Sequence, residues 1–304
     1  MPAHTTYLEA RKVVDDAALN DRIFRSFANR IAEQQAAVDR PLRVLEIGSG
    51  IGTMVVRLIE RGVLNGAITY RLVEQDPMCS SFAEQWLTDW LTKEAYEIST
   101  SSTGVTVASG AHNPRELSLQ FDTADAFSLT PSRTYDVIIG SAFFDIVSLN
   151  QALPWMESVI HPAGVIYAPL TYNAQTAFEP VDSLDRTIIS EYHRHMDTVR
   201  STPGGSDAGE KLANRFEESE TFKLVDSGAS NWSVNAAKSH DHALVVEAVI
   251  EMIASAIAEI QSPDVTQEET NRWVARRRGE VADSALQLTV HHIDTIAECT
   301  NATS

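Results

Sequence analysis

The chain has 304 residues, 43% of them hydrophobic and 22% charged, a globular balance with material for a sizeable core. With 42 acidic against 24 basic residues the formal net charge is -18, which argues against a nucleic-acid partner, because Lys and Arg on phosphates supply most of that affinity. Two cysteines, Cys79 and Cys299, make neither a disulfide framework nor a Cys-x-x-Cys metal pair, so no metal site is expected.

Ile23, Phe24, Phe27 and Ile31 recur at three- and four-residue spacing and predict an N-terminal helix within residues 1–40. Pro41 stops it, and Leu42–Ile47 is a short apolar run of buried-strand type. Helical periodicity resumes over 53–61, and 68–73 form a second strand. Pro77 opens a helix carrying Phe82, Trp86, Leu87, Trp90 and Leu91, and 116–121 alternate like a third strand. Tyr135–Gly140 is the fourth, a helix follows over 151–160, and Gly164–Leu170 is the fifth. This alternation predicts βαβ units and a mostly parallel sheet. Beyond 175 the pattern changes: 185–219 are polar and helical, 221–225 read as a sixth strand, and 286–293 as the last. Between those two strands lie helical stretches at 241–260 and 266–280, split at Ser262-Pro263. The expected fold is α/β: a Rossmann-like, seven-stranded, mostly parallel sheet with flanking helices, an N-terminal helix and a C-terminal helical insertion. Residues 1–40 are the N-terminal segment, 41–175 the core, and 176–304 complete the sheet and carry a lid at 240–282.

The run 243–260 is interrupted by Glu247, Glu251 and Glu259, which fits an amphipathic or core helix better than a membrane span. No basic region followed by an apolar stretch opens the chain, so the expectation is a soluble, cytoplasmic protein. The reading leaves room for a homodimer.

The sharpest motif is Glu46-Ile-Gly48-Ser49-Gly50-Ile-Gly52-Thr53, a strand-to-helix turn. Its glycines allow a tight turn and close approach to a ligand, while the helix start offers free N–H groups. Dinucleotide-binding loops want G-x-G-x-x-G/A, whereas here the spacing is G-x-G-x-G and Thr53 stands in the third small position. The pattern E-x-G-x-G-x-G resembles the first motif of class I S-adenosylmethionine-dependent methyltransferases, and the resemblance extends over residues 40–170. It implies S-adenosyl-L-methionine as cofactor and S-adenosyl-L-homocysteine as product. It implies that Gly48, Ser49, Gly50, Gly52 and Thr53 wrap the cofactor's methionine part, with Glu46 close to the amino group. Glu74, ending the second strand, then binds the ribose hydroxyls, with Gln75 and Asp76 beside the adenosine. Asp125, followed by Ala126, matches the acid that binds the adenine amine, and Phe127 walls the ring; a dehydrogenase has no need of this third element. Ser141 and Ala142 fall where the backbone passes the reacting methyl group. The Asn/Asp-Pro-Pro-Tyr/Phe motif of nucleic-acid amino-methylating enzymes is missing there, in agreement with the charge. Glu74 and Asp76 have an alternative as surface acids before a proline-started helix, and Phe127 as a core aromatic.

Ligands on this architecture bind outside the carboxyl ends of the strands, which nominates Phe143, Phe144 and Asn173 as substrate contacts. Asp145 and Tyr172 are candidates to orient or deprotonate an acceptor; the alternatives are a helix cap and a core aromatic. His193 and His195, two apart on a helix, point to different faces and form no metal pair. His291 and His292 face opposite sides of a strand, one of them toward the site. Trp232 and Trp273 stack on a substrate or belong to the core, and Arg11 meets the cofactor carboxylate if the first helix folds over the site. The activity these residues imply is methyl transfer to the O, N or C atom of a small-molecule acceptor by in-line displacement (EC 2.1.1.-). The alternatives are a catalytically inactive S-adenosylmethionine-binding regulatory or scaffold protein and a nicotinamide-dependent oxidoreductase.

Overall fold

In the computed structural model, which describes residues 4–101, 104–108, 115–130, 134–198, 204–260 and 262–300, strand alternation feeds two cores. On β1 (Leu42–Ile47), Leu42 and Val44 face one core while Leu45 and Ile47 face the other. On β6 (Tyr135–Ile139) and β7 (Ile160–Glu179), Val137, Ile139, Val165 and Tyr167 join the first core, and Ile138, Ile166 and Ala168 the second. A sheet buried on both faces needs helices on both faces. α1 (His4–Ala18), α2 (Asp21–Ala37), α3 (Thr53–Glu60) and α4 (Pro77–Lys93) cover the first. α5 (Leu149–Val159) and α7 (Ala208–Glu217) cover the second.

With β2 (Gly66–Glu74) and β5 (Arg115–Thr123), the centre of the sheet is the parallel set β5-β2-β1-β6-β7. Beyond β7 lie β10 (Gln287–Cys299), antiparallel, and then β8 (Phe222–Ala229). Among the described residues all seven expected strands are present, and three more extend them. β3 (Glu97–Ser101) and β4 (Gly104–Ala108) form an antiparallel edge on β5, and the short β9 (Trp232–Asn235) pairs with β10. The dinucleotide-binding order is 3-2-1-4-5-6. The reversed β10 between β7 and β8 departs from it.

The single expected N-terminal helix is two. Asn20 breaks it, its Oδ1 accepting from the N–H groups of Arg22 (3.1 Å) and Ile23 (3.2 Å) as the N-cap of α2. The insertion between β9 and β10 is α8 (His240–Ile260) and α9 (Gln267–Ala282). α8 packs on α1, α9 and α6 (Asp185–Thr198). The basic run of α9 is spent on acids: Arg276 on Asp182, the fully buried Arg277 on Asp185 and Glu280, and Arg278 on Glu251.

Chain order reverses between β1, which leads outward to β2 and β5, and β6, which leads the other way to β7. At such a switch point a crevice opens beyond the carboxyl ends of the strands. The glycine turn after β1 and residues 140–145 after β6 border it.

Candidate active site

Gly48, Gly50 and Gly52 turn the chain at φ of 60°, 54° and 80°, a region that L side chains enter only with strain. Space confirms the demand at two of them. A Cβ on Gly48 would lie 2.5 Å from Phe143 Cδ2, and one on Gly52 2.6 Å from Leu87 Cδ1. Gly52 is the N-cap of α3 and offers no side-chain bond, so the N–H groups of Thr53 and Met54 keep their capacity for a ligand, while Val55 N donates to Gly52 O at 3.1 Å. Ser49 is buried, its N–H donating to Val73 O at 3.2 Å.

Glu74 braces this turn. Its Oε2 accepts from Gly50 N and its Oε1 from Asp76 N, each at 2.8 Å. Each carboxylate oxygen retains a second lone pair, so a half-buried, fixed acceptor pair stands at the end of β2. Gln75 is exposed beside it, and Asp76 caps α4 by accepting from Met78 N at 2.8 Å. Ala124 N donates to Glu74 O at 3.0 Å, drawing the end of β5 alongside. Asp125 is exposed there and accepts from Phe127 N at 2.9 Å, with Ala126 buried behind it. The half-buried Phe127 ring meets Trp155 edge-on at 5.4 Å and Phe143 at 6.1 Å.

Three expected contacts are redrawn. Glu46 shares the parity of Leu42 and Val44 and therefore points into the core beneath the turn instead of toward a ligand above it. There Tyr70 OH donates to its Oε2 at 2.8 Å, and burial pushes its carboxyl up to about 8. Phe144 is fully buried, its ring 2.7 Å from where a Cβ of Gly140 would sit, so it is core and not a substrate contact. Asn173 accepts from Glu210 N at 3.0 Å and so holds the first turn of α7. The divergence of Phe143 and Phe144 follows the turn after β6, where Ala142 has φ 48° and donates from its N–H to Pro169 O at 2.9 Å. Ser141 and Ala142 stay half-buried at the crevice, and the buried Phe143 lies against Gly48.

A second group of polar side chains gathers where α1 and α6 meet the strands β7, β9 and β10. Tyr172 OH lies 2.7 Å from His193 Nε2 on α6 and 3.0 Å from Thr176 Oγ1. The His292 ring stands edge-on to Tyr172 at 6.1 Å and 5.0 Å from Trp232, and Arg11 lies over Trp232 at 5.1 Å. Asp15 ties α1 down, pairing with Arg11 at 3.1 Å and accepting from Trp232 Nε1 at 3.0 Å. The charge of Asp145 acts on Tyr7, Arg11 and Tyr172. α1 roofs the turn itself, with Leu8 Cδ1 3.2 Å from where a Cβ of Gly50 would sit. Burial pushes the Tyr7 and Tyr172 phenols up, the His193 imidazole down, and His292 down to about 3.

Of the remaining aromatic and histidine candidates, His195 faces away to Glu259 (2.8 Å). Trp273 is a core residue donating to Asp185 at 2.8 Å. Tyr7 carried no sequence signal beyond helical periodicity. His193 was visible, but only the fold brings it to Tyr172. Among the described residues no group of three His, Cys, Asp or Glu is arranged to hold a metal, and no helix is long and apolar enough to cross a membrane. A depression of about 360 Å³ lined by Glu217, Phe222, Lys223 and Thr300 lies at the amino end of β8, the opposite end of the sheet from the crevice.

No family model matches the chain, and no curated protein matches it. Among solved structures, an S-adenosylmethionine-dependent methyltransferase from Thiobacillus denitrificans, in complex with S-adenosyl-L-homocysteine, is 9% identical over 93% of this chain and 92% of that one, with a TM-score of 0.44. YjhP from E. coli is 11% identical over 94% and 98%, with a TM-score of 0.42. Phosphoethanolamine N-methyltransferase 2 from Haemonchus contortus, in complex with S-adenosyl-L-methionine, is 11% identical over 87% of this chain and 50% of that one, with a TM-score of 0.41. Overlaps this loose decide nothing; the residues of this chain do.

Proposed function

We propose that the protein binds S-adenosyl-L-methionine across the ends of β1, β2 and β5 and transfers its methyl group to a small-molecule acceptor held above β6 and β7. The observation that carries this is the Glu74 carboxylate, bonded at 2.8 Å to the glycine turn and standing beside an uncapped helix start. The residues suit the cofactor: the turn is bare of Cβ atoms, α3 offers first-turn N–H groups to a carboxylate, and Glu74 offers a fixed acceptor pair to two ribose hydroxyls. Asp125 takes the adenine amine, Phe127 walls the ring, and the backbone at Ser141 and Ala142 lines the passage between cofactor and acceptor. Glu46 supports the turn from below.

When bound, the cofactor supplies a methyl group activated by its sulfonium. The protein's part is to align the acceptor, exclude water and manage protons. Leu8, Tyr7 and Arg11 of α1 close the space from above, with α8 packed behind them as the lid. Tyr172 and Asp145 orient the acceptor from opposite sides. Tyr172 lies within β7, five residues beyond Tyr167, which pairs with Ile139 at the end of β6.

Incubating the protein with methyl-labelled cofactor and the low-mass fraction of a cell extract tests this. Label is expected in a small product. Cofactor binding without any labelled product would make the chain a binding protein and not an enzyme.

A further inference from the structure

We propose that α1 is an autoinhibitory strap: it shuts the glycine turn, pinned by an ion pair between Asp16 and the buried Arg57 of α3, and has to lift before S-adenosyl-L-methionine can lie along Gly50. The proposal rests on the cofactor reading and adds to it the control of access to that site.

The contact at the turn comes first. Leu8 Cδ1 stands 3.2 Å from where a Cβ of Gly50 would sit. A Cβ lies about 1.5 Å from its Cα, so Leu8 reaches within about 5 Å of the Gly50 Cα. A ligand atom touching both carbons would need them about 7 Å apart, since carbon contacts begin near about 3.5 Å. The turn is braced on the other side, where Gly50 N donates to Glu74 at 2.8 Å. Leu8 packs against the core in line with Tyr7, Ala10 and Val14, which α1 buries there. Making room over Gly50 therefore means moving the helix and not one side chain.

Charge holds α1 along a second flank. Lys12 and Asp16, four residues apart, share that flank, with Lys12 Nζ 2.8 Å from Asp16 Oδ2 and 2.9 Å from Glu60 Oε2. Asp16 Oδ1 accepts from Arg57 Nε, and Asp16 O from Arg61 Nη2 at 3.0 Å. The Arg57 side chain is 1% exposed and that of Asp16 27%. Both acids that Arg57 pairs with, Asp16 and Asp15 at 3.9 Å, belong to α1. Arg57 lies one turn after Thr53, so the pin and the cofactor-facing helix start are parts of one short helix.

A pivot stands at the far end of α1. Leu19 N donates to Asp15 O at 3.0 Å, and then the chain breaks at Asn20. Asn20 is fixed to the sheet, its N donating to Asp294 Oδ2 and its Nδ2 to Ala229 O, each at 2.9 Å. α1 can therefore lift without carrying α2.

The sign of the effect follows. A lowered α1 and a cofactor along Gly50 exclude one another, so the apparent dissociation constant is the intrinsic one divided by the fraction of chains with α1 lifted. Weakening the pin should tighten binding. A lid that closes over bound cofactor would do the reverse.

Two measurements on the whole chain decide it. In calorimetric titration with S-adenosyl-L-methionine, Asp16→Asn should lower the dissociation constant about tenfold. Arg57 keeps Asp15 in that variant. Lys12→Gln leaves the Arg57 pair standing and should lower the constant about twofold, which keeps the test open if Asp16→Asn folds poorly. Raising salt from about 0.05 M to about 1 M should tighten binding by the wild type and leave Asp16→Asn unmoved. In amide hydrogen exchange without ligand, α1 should exchange before α2, and about tenfold faster again in Asp16→Asn, with α2 unchanged. Weaker or equal binding by both variants, tightening by Leu8→Ala alone, or exchange of α1 and α2 at one common rate would overturn the strap and leave the cofactor reading in place. Failure of the wild type and of every variant to bind S-adenosyl-L-methionine would instead remove that reading, and the exchange rates would still decide whether α1 lifts.

Discussion

Gly52 concentrates the demands on one residue: a φ of 80°, a helix start and a neighbour at 2.6 Å. Gly52→Ala should cost about 1–3 kcal/mol, visible as a Tm lowered by several degrees in calorimetry. An unchanged Tm would mean the turn has other conformations at similar energy. Glu46 makes the opposite point about a motif acid. Its carboxyl holds a proton up to about 8 in the folded chain, against an ordinary 4.5. Between those values the folded state binds a proton that the unfolded chain has lost. The resulting stability is complete below about 4.5 and is lost as pH rises through 8. The Tm difference between the wild type and Glu46→Gln should therefore shrink in the variant's favour from pH 5 to pH 8. A flat difference would show the carboxyl ionised in the native state. The direction of Glu46 was legible without coordinates, since Leu42, Val44 and Glu46 alternate on one face. The split between Phe143 and Phe144 was not, because it turns on the left-handed backbone of Ala142.

At the scale of elements, helix ends were written plainly. Pro77 behind the cap Asp76 opens α4, and Thr266 with Glu269 forms the capping box of α9. The edge hairpin β3–β4 had a signal too, in the alternation of Glu97–Ser101 and Gly104–Ala108, but its many Ser and Thr residues weaken the apolar period on which strand recognition depends. What sequence spacing does not reveal is which helix an arginine serves. Arg277, fully buried, joins α9 to the start of α6 through Asp185 and to Pro180 O at 2.7 Å. Removing one partner of a buried pair strands the other, so Arg277→Ala should cost about 3–5 kcal/mol. Arg276→Ala, at the exposed neighbour, should leave the unfolding midpoint nearly unmoved. Equal effects of the two, read from denaturant melts, would dismiss the clamp.

For the molecule as a whole, the parallel centre and its switch point were predictable because each strand is a short apolar run bounded by a helix period. The reversed β10 was not, since it comes after two long helices whose span leaves the direction of the returning strand open. The same switch point sets the cofactor question, because it serves nicotinamide dinucleotides in one strand order and is occupied here by another. Calorimetric titration of the intact chain with S-adenosylmethionine and with NAD, repeated on Glu74→Ala, puts that question most directly. The protein should bind S-adenosylmethionine and not NAD, and Glu74→Ala should weaken that binding at least about tenfold, as expected when a hydrogen bond to a charged group is lost. Binding of NAD in preference, or a dissociation constant for S-adenosylmethionine untouched by Glu74→Ala, would contradict the account.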